Sequence, residues 1–337
     1  MHYLITGHTG FKGSWLALIL EMLGHTVSGI ALDPPSKSLF KQSNLSSIFT
    51  NDIRLDIRDG EVIKKSIKAI NPDVIVHLAA QPLVRESYSA TVKTFEINVL
   101  GTLNVLEAMK ELENLKAALI ITTDKVYKNH SHLRGYIESD ELGGNDPYSA
   151  SKAAADIATQ SWVKSFGRVP IAIARAGNVI GGGDWASDRI IPDLVDAYSK
   201  GRLPTVRYPE AIRPWQHVLD CLHGYLQLIE RQLSIGIAGE WNFGPELSEK
   251  HTVGDLVSAF ASRWGVIGKL WNLDDEPKFH EAGYLLLDSS KARQKLDWHD
   301  KLTFNETIQW TVDWYKAIDS SCANSLTREQ IAQYFKL

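Results

Sequence analysis

The first five residues of regular pattern, His2–Thr6, are mostly apolar. They run into Gly7-His-Thr-Gly10-Phe-Lys-Gly13, after which Leu16, Ile19, Leu20 and Leu23 recur at helical spacing. This pattern predicts a short strand, a glycine-rich turn and a helix packed on a sheet, with Gly24 ending the helix. A second strand is expected over 26–32. Asp33 stands at its end, and Pro34-Pro35 forbids its continuation. Strands over 53–56, 73–78, 117–123 and 170–174 then alternate with helices over 61–70, 91–112 and 148–166. Such alternation predicts an α/β fold, a Rossmann-type doubly wound parallel sheet with helices on both faces.

After Arg175 the alternation breaks down. Gly181-Gly-Gly-Asp184 marks a loop, 190–198 reads as a helix, 241–244 as a short strand and 253–264 as an amphipathic helix. Thr327 answered by Gln330 reads as a capping box that opens a terminal helix. The expected organisation is a nucleotide-binding Rossmann domain over 1–175, with segments around 210–240 returning to it. Residues 176–337 mainly form a smaller, mixed and mostly helical C-terminal substrate lobe.

Composition narrows the functional classes. A formal net charge of −4 leaves no polybasic footprint, which argues against nucleic acid as a partner. The two cysteines, Cys221 and Cys322, lie far apart and have no metal-ligand spacing. No metal site is expected, and a reducing, cytoplasmic compartment fits them. The apolar run over 15–23 is short, holds Glu21 and follows the glycine turn, so it reads as a buried helix. It is neither a signal peptide nor a membrane span.

Two features carry chemistry. Gly7, Gly10 and Gly13 sit between a strand and a helix, where glycine lets the backbone approach a dinucleotide pyrophosphate and the helix N-terminus offers free N–H groups. Asp33 follows Gly13 by twenty residues. A carboxylate there accepts hydrogen bonds from ribose hydroxyls and repels a 2′-phosphate, favouring NAD over NADP. The second feature is Tyr148 and Lys152, four apart on a helix that Pro147 helps to open, and therefore on one face. Lowering a phenol from its usual 10 to about 7 takes roughly 4 kcal/mol. A nearby ammonium and a nicotinamide ring could supply it.

Thr6-Gly-His-Thr-Gly-Phe-Lys-Gly13, His77-Leu-Ala-Ala80, Asn98, Thr122-Thr-Asp-Lys125, Tyr148 to Lys152 and Arg175-Ala-Gly-Asn178 together resemble the extended short-chain dehydrogenase/reductase family, over nearly the whole chain. Gly7-His-Thr-Gly-Phe-Lys-Gly-Ser-Trp15, Ala80-Gln-Pro-Leu-Val84, Arg175 to Trp185 and Ile212-Arg-Pro-Trp-Gln-His-Val218 are similar to its nucleotide-sugar 4,6-dehydratases. The resemblance implies a lyase that uses and regenerates NAD within each turnover. It also implies CDP-glucose as substrate, a preference that no residue by itself encodes.

In the implied chemistry Tyr148, helped by Lys152, takes the proton of the sugar 4-hydroxyl as hydride leaves C4, and Thr123 bonds that oxygen. The resulting ketone acidifies the C5 proton, Asp124 protonates the C6 hydroxyl, water leaves, and hydride returns to C6. Lys125 stands where the dTDP-glucose enzymes have a glutamate base. It acts either as a neutral base at C5 or as an electrostatic stabiliser of the enolate while another group takes the proton.

The resemblance also implies that Thr9, Phe11 and Lys12 join the three glycines around the cofactor. Asp56 would face the adenine, with Ile57 beside it. Leu78, Ala79, Ala80 and Thr122 would contact the cofactor as well, and Asn98 would hold the backbone beneath the site. Asn178, Arg189 and Arg213 match positions that hold the nucleotide diphosphate or the hexose. A second positive charge would come from His280 or from Arg189. Gln81, Arg85 and His217 are further candidates for the pocket, although His217 reads equally well as a structural histidine. A homodimer or homotetramer formed through the helices starting near Thr91 and Tyr148 is implied, as is a place in deoxysugar and O-antigen lipopolysaccharide biosynthesis. The competing readings are another nucleotide-hexose 4,6-dehydratase, a nucleotide-sugar 4-epimerase, which needs no acid–base pair for C5 and C6, and an NAD-binding scaffold without activity.

Overall fold

Seven strands form one parallel sheet: β1 (His2–Thr6), β2 (Thr26–Ala31), β3 (Asn51–Arg54), β4 (Val74–His77), β5 (Ala117–Ile121), β6 (Ile171–Ala176) and β7 (Gly239–Phe243). Their order is β7-β6-β5-β4-β1-β2-β3, and every pairing is parallel. The architecture is a Rossmann-like α/β fold. The computed structural model describes residues 1–130, 134–274, 283–318 and 321–337.

Helices α1 (Phe11–Met22), α2 (Gly60–Ile70), α3 (Gly101–Met109), α4 (Pro147–Phe166), α5 (Val218–Ile235), α6 (Phe304–Ala317) and α7 (Ala323–Phe335) pack around the sheet. Side chains alternate across each strand, so Tyr3 and Ile5 join one core with α1 and α5, while Leu4 joins another with α2 and α3. Strands buried on both faces read as continuous apolar runs, and this makes 117–121 and 171–174 legible. The order reverses between β1 and β4, and the crevice beyond the strand ends at such a point is where ligands bind in open α/β sheets.

Several expectations change. The short strand near 241 is β7, an edge strand of the main sheet beside β6. Before it comes α5, which crosses back over β5 and β6, so the returning stretch is one helix and one strand. The helix expected over 91–112 is interrupted: Thr91–Phe95 passes into a π-helical turn, Glu96–Leu100, and then into α3. Thr327 caps nothing. It lies inside α7, donates its hydroxyl to the Ala323 carbonyl one turn back at 2.7 Å and accepts Trp314 Nε1 at 3.1 Å. A buried indole N–H needs an acceptor, and Thr327 provides it. Among the described residues, capping boxes form at Thr303 with Glu306, at the start of α6, and at Thr252 with Asp255. Among the described residues no helix is long and apolar enough to cross a membrane.

Candidate active site

One cleft of about 1210 Å³ runs along the strand ends, from the glycine turn to the C-terminal lobe. Gly7 adopts φ +78°, and a Cβ there would stand 2.7 Å from the Ala79 nitrogen. A Cβ on Gly13 would stand 2.3 Å from the Gly7 carbonyl oxygen. Both contacts fall on backbone, so only glycine fits the turn. Gly10 caps α1 without a side-chain acceptor, which leaves the helix N-terminus a natural seat for an anion. Thr9, Phe11, Lys12, Leu78, Ala79, Ala80 and Thr122 line the same cleft. A narrow groove with a cradle that any Cβ would fill suits a dinucleotide pyrophosphate.

The adenosine-side candidates are more dispersed. Asp33 has a side chain 90% exposed, with Arg54 Nε 3.5 Å away. Arg54 also pairs with Asp52, which His8 of the glycine turn contacts at 2.7 Å. Asp56 is bound by Arg58 at 2.7 Å, and this interaction lowers its pKa. Ile57 is buried against Gly101. None of Asp33, Asp56 and Ile57 lines the cleft, although Leu32 beside Asp33 does.

Helix α4 begins at Asp146, whose carboxylate accepts the Ser149 N–H at 2.9 Å, with Pro147 in the first turn. Tyr148 and Lys152 are both buried in the cleft wall. Burial pushes the Tyr148 phenol up to about 12; a hydrogen bond with Thr123 and the positive charge of Arg189 pull the other way. The Lys152 ammonium donates to the Ile121 carbonyl at 2.7 Å. Burial first, then the charge of Lys12, pushes it down to about 8. The ammonium is therefore anchored to the end of β5, and Arg189 adds positive charge near the phenol.

β5 ends at Ile121, Thr122 follows, and Asp124–Val126 then forms a short 3₁₀ turn capped by Thr123. Thr123 Oγ1 donates to Asp124 Oδ1 at 2.8 Å. Asp124 is fully buried, and its Oδ2 has no hydrogen-bond partner. Lys125 Nζ lies 4.0 Å from Asp124 Oδ1 and is partly exposed. Thr123 and Lys125 line the cleft with Tyr148; Asp124 does not line it and meets it through the Thr123 hydroxyl.

Asn178, Arg85, Arg189 and Arg213 line the other end. Asn178 Oδ1 is buried without a partner. Arg189 is held by Asp184 at 2.9 Å, which keeps the guanidinium firmly charged. Arg85 meets Asp188 at 2.8 Å, and Arg213 donates to the Ile212 carbonyl.

Gln81, Asn98 and His217 are buried outside the lining. The Gln81 amide donates to Leu83 O and Thr94 Oγ1 at 3.0 Å, and Asn98 brackets the Gln81 backbone from within the π-helical turn. His217 caps α5 by accepting the Leu219 N–H and sits edge-on to Trp15 and Trp310. Burial pushes it down to about 3. Of its two sequence readings, the structural one matches this position. His280 lies outside the described residues.

Sequence reasoning missed Asp184, Asp188 and Tyr127, all in the cleft wall. The signal for Asp184 was present in its three preceding glycines. Gly182 packs so tightly that a Cβ would enter the Trp314 ring, while Trp15 donates to its carbonyl.

Residues 4–311 match the family model described as GDP-mannose 4,6 dehydratase. The chain is 44% identical over 324 residues to CDP-glucose 4,6-dehydratase of Salmonella typhimurium, covering 93% of this chain and 90% of that one. Among solved structures, dTDP-glucose 4,6-dehydratase of Bacillus anthracis in complex with NAD superimposes with a TM-score of 0.82 at 24% identity, covering 95% of this chain and 98% of that one. UDP-glucuronic acid 4-epimerase of Bacillus cereus, in complex with UDP-glucuronic acid and NAD, gives 0.81 at 25% identity, covering 94% and 100%.

Proposed function

Since the chain belongs to the GDP-mannose 4,6 dehydratase family, we propose that it is an NAD-dependent CDP-glucose 4,6-dehydratase, a lyase converting CDP-glucose to CDP-4-dehydro-6-deoxyglucose and water. What carries this reading is the presence of Thr123 and Lys125 in one cleft wall with Tyr148 and Lys152, with buried Asp124 bonded to the Thr123 hydroxyl, in a chain 44% identical to an enzyme of that name.

Gly7, Gly10, Gly13 and the start of α1 would hold the NAD pyrophosphate, with Asp33 near the ribose. When bound, NAD supplies reversible hydride acceptance, so the turnover has no net redox change. Tyr148 takes the proton of the sugar 4-hydroxyl at its phenolic oxygen, and Thr123 Oγ1 orients that hydroxyl. The phenol is raised by burial, so the charges of Lys152, Arg189 and the oxidised cofactor must bring it back towards neutrality. Asp124 donates a proton to the C6 hydroxyl as water departs. Lys125 acts at C5, as base or as stabiliser of the enolate. Arg189, Arg213 and Asn178 hold the diphosphate and hexose, the forks of the two arginines suiting phosphate oxygens.

The 4-epimerase reading shares Tyr148 and Lys152 but gives Asp124 no task. Unchanged turnover in Asp124→Asn would favour it. We further place the enzyme in the cytoplasm, in deoxysugar supply for O-antigen lipopolysaccharide. As a homo-oligomer it would cover the exposed Val92, Leu100 and Ile157; a monomer mass by light scattering would refute that.

Purified protein incubated with CDP-, UDP-, GDP- and dTDP-glucose tests the function by mass spectrometry. Loss of one water from CDP-glucose is expected. An unchanged mass with a galactose product would replace the dehydratase by an epimerase.

A further inference from the structure

Arg175 and Asp156 have no part in this chemistry, yet they form a fully buried ion pair, 1% and 0% exposed. Arg175 on β6 donates Nε to Asp156 Oδ2 and Nη2 to Oδ1, both at 2.8 Å. Buried ion pairs are poor sources of stability, because desolvation offsets their attraction. The remaining bonds of the pair indicate what it does instead. Thr122 Oγ1 donates to Asp156 Oδ2 at 3.1 Å. Arg175 Nη1 donates to the Tyr127 hydroxyl at 2.9 Å and to the Glu138 carbonyl at 3.0 Å. The Tyr127 hydroxyl in turn donates to Asn242 Oδ1 on β7 at 2.7 Å.

Thr122 and Tyr127 flank the segment Thr123-Asp124-Lys125-Val126. Tyr148, Lys152 and Asp156 follow one another at four-residue steps along α4, on one face. One pair of side chains thus grips both ends of the acid–base segment and fastens them to the helix that carries the oxidising base. Sequence reading had found Arg175 only as part of a family motif.

We infer that Asp156, Arg175 and the Tyr127 hydroxyl are positioning residues for the second half of the reaction. They hold Asp124 and Lys125 in register with Tyr148, so that water loss follows oxidation on the same bound sugar. The inference rests on the dehydratase reading. It assigns the Tyr127 end of this network to the elimination step; oxidation at C4 depends on Tyr148, on Lys152 anchored at Ile121 and on Thr123, beside Thr122 at the Asp156 end, all of which Tyr127→Phe leaves in place.

The test uses the holoenzyme with CDP-glucose in single turnover, following the NADH absorbance transient for oxidation and mass spectrometry for water loss. Tyr127→Phe removes one hydroxyl and keeps the ring stacked on Tyr136, with centroids 5.2 Å apart. Arg175→Lys keeps the charge and loses the fork. In Tyr127→Phe the transient should rise at the wild-type rate, while water loss slows about tenfold or more, as expected for a slightly misplaced catalytic group. Amide hydrogen exchange over 122–127 should quicken. Arg175→Lys also loosens Asp156 and through it Thr122, so if it folds it should slow water loss more strongly and oxidation to a lesser degree; Tyr127→Phe decides the matter if it does not. Water loss at the wild-type rate in Tyr127→Phe would overturn the inference. So would equal slowing of both steps alongside a lowered melting temperature, because that is the mark of a purely structural role. No water loss from the wild type would overturn the dehydratase reading itself, before any variant is judged.

Discussion

The Tyr334 hydroxyl donates to Asp220 Oδ1 at 2.6 Å, tying the C-terminal helix α7 to the buried start of α5. Lys301 N–H reaches the same oxygen at 2.8 Å, and Asp220 Oδ2 has no partner. Burial pushes this carboxyl up to about 7, outweighing the bonds that favour its charge. His223, 3.5 Å from the Tyr334 hydroxyl, is itself pushed down to about 4. Between about pH 4 and 7 folded Asp220 holds a proton that the unfolded chain has released, so its contribution falls as pH rises, while His223, neutral in the fold, contributes in the opposite sense up to about pH 6.5. Asp220→Asn keeps the Oδ1 acceptor and removes the titration. Relative to the wild type its stability, followed by thermal melting, should rise across this range, the difference approaching roughly 4 kcal/mol. Parallel thermal melts would count against a buried, titrating Asp220.

Lys152 carries the opposite sign. Its ammonium is depressed to about 8, against about 10.4 in an unfolded chain. From about pH 8 to 10 the unfolded state holds the extra proton, so this residue adds stability as pH rises. Tyr148, raised to about 12 in the cofactor-free protein, should stay neutral throughout the same range. Ultraviolet titrations of the cofactor-free wild type and Tyr148→Phe should then show no difference in tyrosinate absorbance below about pH 10. A wild-type step near neutrality, absent from the variant, would show that the protein activates the phenol without its cofactor. In the loaded enzyme Tyr148→Phe should abolish the NADH transient.

At Gly13 an added Cβ meets the Gly7 carbonyl at 2.3 Å, and backbone cannot swing aside as a side chain does. Gly13→Ala should weaken NAD binding by tenfold or more on an order-of-magnitude scale, and should lower stability by about 1–3 kcal/mol, the usual range for overpacking. Calorimetric titration with NAD checks the first effect and thermal melting the second. Unaltered NAD affinity would remove the glycine turn from the cofactor site.

Much of the sheet was legible because its strands are buried on both faces and read as unbroken apolar runs, as in Ala117–Ile121. The glycine turn was legible because glycine is forced by close backbone approach. Helix α4 was legible through Pro147 and the spacing of Tyr148 and Lys152, while its cap at Asp146 emerged only in the structure. Three things were not. Helix α5 was hidden because no glycine or proline marks its start; His217 caps it instead. The π-helical turn depends on Asn98 bonding Gln81 across sequence, which local propensity does not encode. The partners of the site's charges were equally invisible, since Lys152 finds a carbonyl on β5, Arg189 finds Asp184, and Arg175 spans three elements. Pattern reveals which residues are present, while their pairing is decided by packing.

In the proposed reaction the chemistry of water loss turns on Lys125. Its ammonium lies 4.0 Å from the buried Asp124 and faces the cleft with about a third of its side chain exposed. Loss of a positioned acid or base costs about 10²–10⁴-fold in rate. Lys125→Met should therefore oxidise CDP-glucose with a normal NADH transient and then lose water at least about a hundredfold more slowly. A full rate of water loss would exclude Lys125 from the C5 step. Lys125→Arg separates the two roles that remain. Guanidinium keeps the positive charge and does not surrender its proton near neutrality, so it can stabilise an enolate but cannot serve as a base. If Lys125 takes the C5 proton, the Arg variant should be as slow as the Met variant. If it works through charge, the Arg variant should recover most of the rate, and the proton must then be taken by another group in the cleft.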